Sequence, residues 1–183
     1  MVFDGYTSDV TILGPGQFDG KSSGNWARVA FASRSIDGLS STLKGIRATC
    51  ASGTHWALGL TSNAPSSYST WTHLSESYTS GAYGFHPTSS GTIHSGPTTG
   101  CTPSCSSISW GSTTSFELRV KSNGYIDYVK CETIASSCAV FATSASSVSV
   151  WPLHFGLSVY NTGTFGPTCS NLQWLSAADV ATW

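Results

Sequence analysis

The stretch Phe116 to Lys130, FELRVKSNGYIDYVK, decides the fold class. Phe116, Leu118 and Val120 alternate with Glu117, Arg119 and Lys121, the two-residue period of a strand with one buried face. Asn123-Gly124 supplies residues that tolerate positive φ at a tight reversal. Tyr125 to Val129 then returns with β-branched and aromatic residues, which suit a pleated, half-buried surface. Two registers compete for this hairpin. A two-residue turn sets Glu117 opposite Lys130; a three-residue turn with Gly124 in a bulge sets Arg119 opposite Asp127. The second is preferred, because it puts Ile126 and Tyr128 on the face of Leu118 and Val120 and keeps Asp127 outside. Glu117, Arg119 and Lys121 then read as an ordinary solvated strand face.

Outward from the hairpin, the chain continues in short alternating runs. Val10 to Leu13 precedes the turn Gly14-Pro15-Gly16, and Asn25 to Ile36, Leu43 to Thr49 and His55 to Thr61 follow. Tyr83 to Phe85 and Ile108 to Trp110 are brief candidates inside the irregular stretch Ser62 to Ser115. Ala139 to Val150 gives one or two strands, and Leu153 to Tyr160 and Asn171 to Leu175 one each. Ser176 to Trp183 reads as a brief helix or a fraying tail. About eleven short strands with frequent turn signals, and no amphipathic helix of ordinary length, predict an antiparallel β-sandwich or barrel. With 183 residues, no repeat and no linker, a single domain over residues 1–183 is expected.

Charge excludes several functions. Only 9% of residues are charged and the net charge is −1, so there is no basic footprint for nucleic acid. No run approaches the roughly 18 apolar residues of a membrane span, so membrane insertion is not expected. Met1 to Asp9 has neither the basic start nor the apolar core of a signal peptide, so a secreted form is expected to have lost its signal or to be an excised domain.

Six cysteines, an even count, predict disulfides. Cys101 and Cys105 are spaced to close a small loop, and Cys131 and Cys138 to staple the second hairpin strand to the next segment. Cys50 and Cys169 pair by elimination, closing a long loop worth about 4 kcal/mol in the chain-entropy model. Zinc is the rival reading, but no second Cys pair matches the Cys-x3-Cys spacing and the five His are scattered. A disulfide-stapled chain implies an extracellular or lumenal compartment.

The succession WALGLT (Trp56 to Thr61), FELRV…NGYIDY (Phe116 to Tyr128), PLHFGLSVYNTG (Pro152 to Gly163) and NLQW (Asn171 to Trp174) resembles the concanavalin A-like jelly-roll domains. That superfamily includes legume-type lectins, laminin-G-like and SPRY-like modules and several glycanases. The resemblance implies an all-β, antiparallel sandwich and leaves the activity open.

Small jelly-roll glycanases use two facing carboxylates, and Glu76 and Glu117 are the candidates if this chain is one. Glu76 lies in a Ser/Thr loop and no E-x-D-x-x-E run is present, so no catalytic residue is assigned. The His residues lack acidic partners nearby in sequence, and no Gly-x-Ser-x-Gly elbow occurs. Many lectins of this fold use calcium. Asp4 with Asp9 and Asp19 with Asn25 are the nearest candidate oxygen ligands and neither pair makes a ligand loop, so no metal and no cofactor is expected. Seven Trp and seven Tyr suffice for both a core and a display surface. Trp26, Trp56 and Trp174 belong to alternating runs and are assigned to the core. Tyr68, Trp71 and Tyr83, with His73, His86 and Asn63 as polar help, form a candidate sugar-stacking surface. The expectation is a non-catalytic extracellular binding module for a glycan, with a structural subunit of a filament, coat or adhesive layer as the alternative. Its partner is then a glycan or another protein subunit, with self-association in the second case.

Overall fold

The computed structural model describes residues 5–6, 10–14, 17–20, 28–50, 55–63, 74, 81–87, 93–95, 108–132, 137–160 and 168–180. In chain order the strands are β1 (Gly5–Tyr6), β2 (Val10–Gly14), β3 (Gln17–Gly20), β4 (Arg28–Ile36), β5 (Leu43–Cys50), β6 (His55–Thr61) and β7 (Ala82–Pro87). They continue as β8 (Ile93–Ser95), β9 (Ser115–Val120), β10 (Ile126–Cys131), β11 (Cys138–Thr143), β12 (Leu153–Tyr160) and β13 (Thr168–Ser176), and α1 (Ala177–Val180) follows. Among the described residues they form a six-stranded sheet, β1-β4-β12-β6-β7-β8, and a seven-stranded sheet, β11-β10-β9-β5-β13-β3-β2. Every pairing is antiparallel.

The β9–β10 hairpin adopts the preferred register, with Arg119 opposite Asp127 and Leu118 opposite Tyr128. The Lys121 N–H donates to the Tyr125 carbonyl at 2.8 Å, and Gly124, at φ 85°, donates to the Lys121 carbonyl at 3.0 Å. Ser122-Asn123-Gly124 is therefore a three-residue loop ending in a left-handed glycine. The Asn123 side chain supports it by accepting from the Tyr125 N–H at 3.2 Å.

Inward-facing rings from both sheets interlock into one core. Phe85 on β7 meets Phe116 on β9 at 5.0 Å and Phe141 on β11 at 5.7 Å, and Trp56 on β6 meets Phe116 at 5.6 Å. Such tilted and edge-on pairs add roughly 0.5–1.5 kcal/mol each beyond the area they bury. Trp110 joins them at 5.9 Å from Trp56. The expected strand at Ile108 to Trp110 is instead a single bridge at Ser109, with Trp110 packed in the core. Trp174, half-buried, packs edge-on against Phe155 at 6.3 Å, and Trp26 lies outside the described residues. β1, β3 and β8 were not expected: their two to four residues are too few to display a period.

Among the described residues, two disulfides join directly opposed residues on neighbouring strands. Cys50–Cys169, the pairing expected by elimination, links β5 to β13, and Cys131–Cys138, the pairing expected from spacing, links β10 to β11. Cys101 and Cys105 lie outside the described residues.

The outward face of the six-stranded sheet carries an unusual rung. Gly156 on β12 is opposite Gly59 on β6, and Gly59 is opposite Gly84 on β7. Leu74, fully buried yet outside the main core, lies across this trough of backbone. A Cβ at Gly84 would sit 2.0 Å from the Leu74 carbonyl oxygen and 2.3 Å from that of Leu58, and one at Gly156 would sit 2.3 Å from Leu74 Cδ2. The three glycines are thus required by close approach.

This geometry predicts a separable double-mutant cycle. Leu74→Ala should cost about 2–5 kcal/mol in chemical denaturation. Gly156→Ala clashes with a Leu74 methyl and should become nearly neutral in the Leu74→Ala background. Gly84→Ala meets two backbone carbonyls and should stay destabilising in both backgrounds. Equal penalties for Gly156→Ala with and without Leu74 would refute this packing.

Candidate functional site

Alternation along β9 places Ser115, Glu117 and Arg119 on the outward face of the seven-stranded sheet. Glu117 pairs with Arg47 on β5 and with Val129 on β10, and the next rung holds Gly45, Arg119 and Asp127. Glu117 is 0% exposed, which corrects the expectation of a solvated strand face. Arg47 Nε and Nη2 donate to Glu117 Oε1 at 2.6 and 2.5 Å, and Arg119 Nε donates to Oε2 at 2.6 Å. Arg119 sits two residues on along the same strand, and Arg47 sits on the neighbouring strand. Both lie on the carboxylate's own face, so the three charges satisfy one another instead of turning to water. Alternation gave the face correctly but carried no information about its burial.

This arrangement limits the chemistry. Both Glu117 oxygens are taken by guanidinium donors, leaving neither directed at a substrate. Glu76 lies outside the described residues, so no facing carboxylate pair is brought together among those described. Glu117, Cys131 and Cys138 do gather potential ligand atoms within 4.8 Å of one another. They do not fit a cation, because the two sulfurs are bonded together and two guanidiniums flank the carboxylate.

Beside this triad, at the hairpin-turn end of the sheet, opens a cleft of about 490 Å³. Its cationic groups are Lys44, Arg119 and Lys121, and Asp127 is the one carboxylate in its lining. Lys121 Nζ lies 3.4 Å from Asp127 Oδ2, and Lys44 donates to the Leu39 carbonyl. Leu39 and Val140 form apolar walls at 45% and 54% exposure, and Ala177 and Val180 of α1 close one side. The start of α1 is held by a reciprocal cap. Asp179 Oδ2 accepts from the Ser176 N–H and hydroxyl, each at 2.7 Å, and the Asp179 N–H donates back to Ser176 Oγ at 3.3 Å. The hydroxyl bond first, then the N–H bond, hold the Asp179 carboxyl below the ordinary aspartate range, and the charge of Arg47 adds to this.

The expected sugar-stacking surface is not assembled by the described residues. Tyr83 and His86 lie on β7 at 5% and 6% exposure, and Tyr83 belongs to the core. Tyr83 is thereby corrected, since a ring sandwiched between sheets has no free face for a pyranose; His86 shares the outward face of β7 with Gly84 but is buried there. Asn63 is half-buried just after β6, its N–H donating to Thr61 Oγ1 at 3.1 Å. Tyr68, Trp71 and His73 lie outside the described residues. The cleft, by contrast, was missed from sequence. A signal existed: five charged residues fall between Phe116 and Lys130, in a chain only 9% charged.

Among solved structures, the chain is similar to the crystal structure of the SPRY domain of human HERC1. The two are 12% identical with a TM-score of 0.56, and the match covers 93% of this chain and 98% of that one. At this identity the likeness is one of fold, and it agrees with the two packed antiparallel sheets of a concanavalin A-like jelly roll. No family model matches the chain, and no curated protein does. No helix among the described residues is long and apolar enough to cross a membrane.

Removing one member of the buried triad leaves uncompensated charge. Glu117→Gln should therefore cost about 3–5 kcal/mol in urea unfolding, whereas replacing Arg47, Glu117 and Arg119 together by apolar residues of similar volume should recover most of that loss. A Glu117→Gln variant as stable as the parent would show that the carboxylate is not held this way.

Proposed function

We propose that the chain is a non-catalytic binding module, one sandwich domain over residues 1–183, whose ligand is a segment of another protein. The observation that carries this reading is the cleft on the seven-stranded sheet. There exposed apolar walls stand beside cationic groups, a composition suited to a partner's side chains. The buried carboxylate beside it has both oxygens committed to arginine, which favours binding over hydrolysis. The fold similarity to a SPRY domain is consistent with this reading. The two cross-strand disulfides support an extracellular or lumenal location, where such bonds persist. A glycan ligand is the weaker reading, because two of its supporting residues, Tyr83 and His86, are buried.

The test is capture of the purified, oxidised protein on a peptide array and on a panel of immobilised polysaccharides, with released sugar assayed in solution. Capture on peptides with no sugar released is the expected result. Retention only on polysaccharide would restore the glycan reading, and release of sugar would make the chain a hydrolase. Concentration-dependent light scattering without capture on either would point to a structural subunit.

A further inference from the structure

We propose that the cleft between α1 and the β9–β10 hairpin is a docking site for an acidic–apolar peptide segment, one that alternates carboxylates with aliphatic side chains. This rests on the binding-module reading above and names the chemistry of its partner.

Charge is the first argument. The whole chain carries a net −1, yet three cationic side chains line this one cleft against a single carboxylate. The excess is only partly cancelled from below. Glu117 is one carboxylate shared by two guanidiniums, so the Arg47–Glu117–Arg119 triad keeps a net positive charge. Asp179 on α1, held ionised by Ser176, offsets part of it through Arg47, so four cationic groups (Lys44, Arg47, Arg119 and Lys121) meet three carboxylates (Glu117, Asp127 and Asp179). Among the described residues no carboxylate pairs with Lys44, whose ammonium rests on the Leu39 carbonyl. Partly enclosed cations of this kind focus a positive potential that a carboxylate completes.

The apolar surface is the second argument. Leu39, Val140 and Val150 are the large hydrophobic residues exposed among those described, and the first two line the cleft. Single exposed aliphatics are ordinary, but two facing one cavity beside Lys44, which meets no carboxylate among the described residues, are a paired feature. Val140 also sits on β11, the edge strand of its sheet, whose sequence CAVFAT carries no charge to discourage an approaching chain.

The experiment is fluorescence anisotropy of the intact, oxidised chain with three end-capped twelve-residue peptides. One alternates glutamate with leucine and valine, one has glutamine for every glutamate, and one has lysine. The glutamate peptide is expected to bind most tightly, and to weaken as salt is raised. The pair Lys44→Glu and Lys121→Glu should lower its affinity about tenfold or more. Val140→Ser should also weaken it, while Val150→Ser, outside the cleft, should not. Unfolding curves confirm that each variant remains folded. If the glutamine peptide binds as tightly as the glutamate peptide, the acidic preference is wrong although the binding-module reading stands. If no peptide binds, while phosphatidylglycerol vesicles or an immobilised polysaccharide do, both are wrong.

Discussion

A single carboxylate, Glu117, sits without solvent exposure between Arg47 and Arg119, and this constraint orders the seven-stranded sheet. Burying a charge is costly unless every oxygen is met, so β5 and β9 are bound to the one register that brings Arg47 to Glu117. A slip of one residue would turn Glu117 into the aromatic core and Phe116 outward. Ion pairs of this kind contribute little net stability against an apolar replacement, and their effect here is to penalise the wrong alignment. The Cys131–Cys138 disulfide reinforces the same region from the far side, with the Cys131 sulfur 3.5 Å from Glu117 Oε1.

The two outward faces differ in a way that bears on function. On the six-stranded sheet, the glycine rung of β12, β6 and β7 is filled by the chain's own Leu74. That surface is already occupied where the strands come closest to bare backbone. On the seven-stranded sheet, the corresponding relief is the cleft beside Arg119, bounded by the hairpin turn and α1. Its position depends on two local motifs. The left-handed Gly124 sets where Lys121 and Asp127 stand, and the Ser176–Asp179 cap starts the turn of helix that carries Ala177 and Val180.

Much of the fold was legible in the sequence. The Phe116 to Lys130 hairpin announced its strands and its turn, because period-2 alternation and Asn-Gly chemistry are local properties, and of the two registers it allowed the preferred one formed. The Cys131–Cys138 pairing followed from spacing and Cys50–Cys169 by elimination. Other features were not local. Tyr83 looked like a display residue because its neighbours are Ser, Thr and Gly, yet β7 pairs with β6 and delivers it to the core. Glu117 looked solvated because its strand neighbours are charged, and only the arrival of Arg47 from seventy residues away reveals the triad. The cleft draws Lys44, Lys121 and Val180 from segments far apart in the chain, so no window of sequence contains it.

The central claim is that ligands engage the outward face of the seven-stranded sheet and not that of the six-stranded one. Amide chemical shifts of isotope-labelled protein, followed while the acidic–apolar peptide is titrated in, test it most directly. The account predicts that the shifts concentrate at Lys44, Arg119, Lys121, Val140 and Ala177. Shifts confined instead to β6, β7 and β12 around Gly59, Gly84 and Gly156 would contradict it.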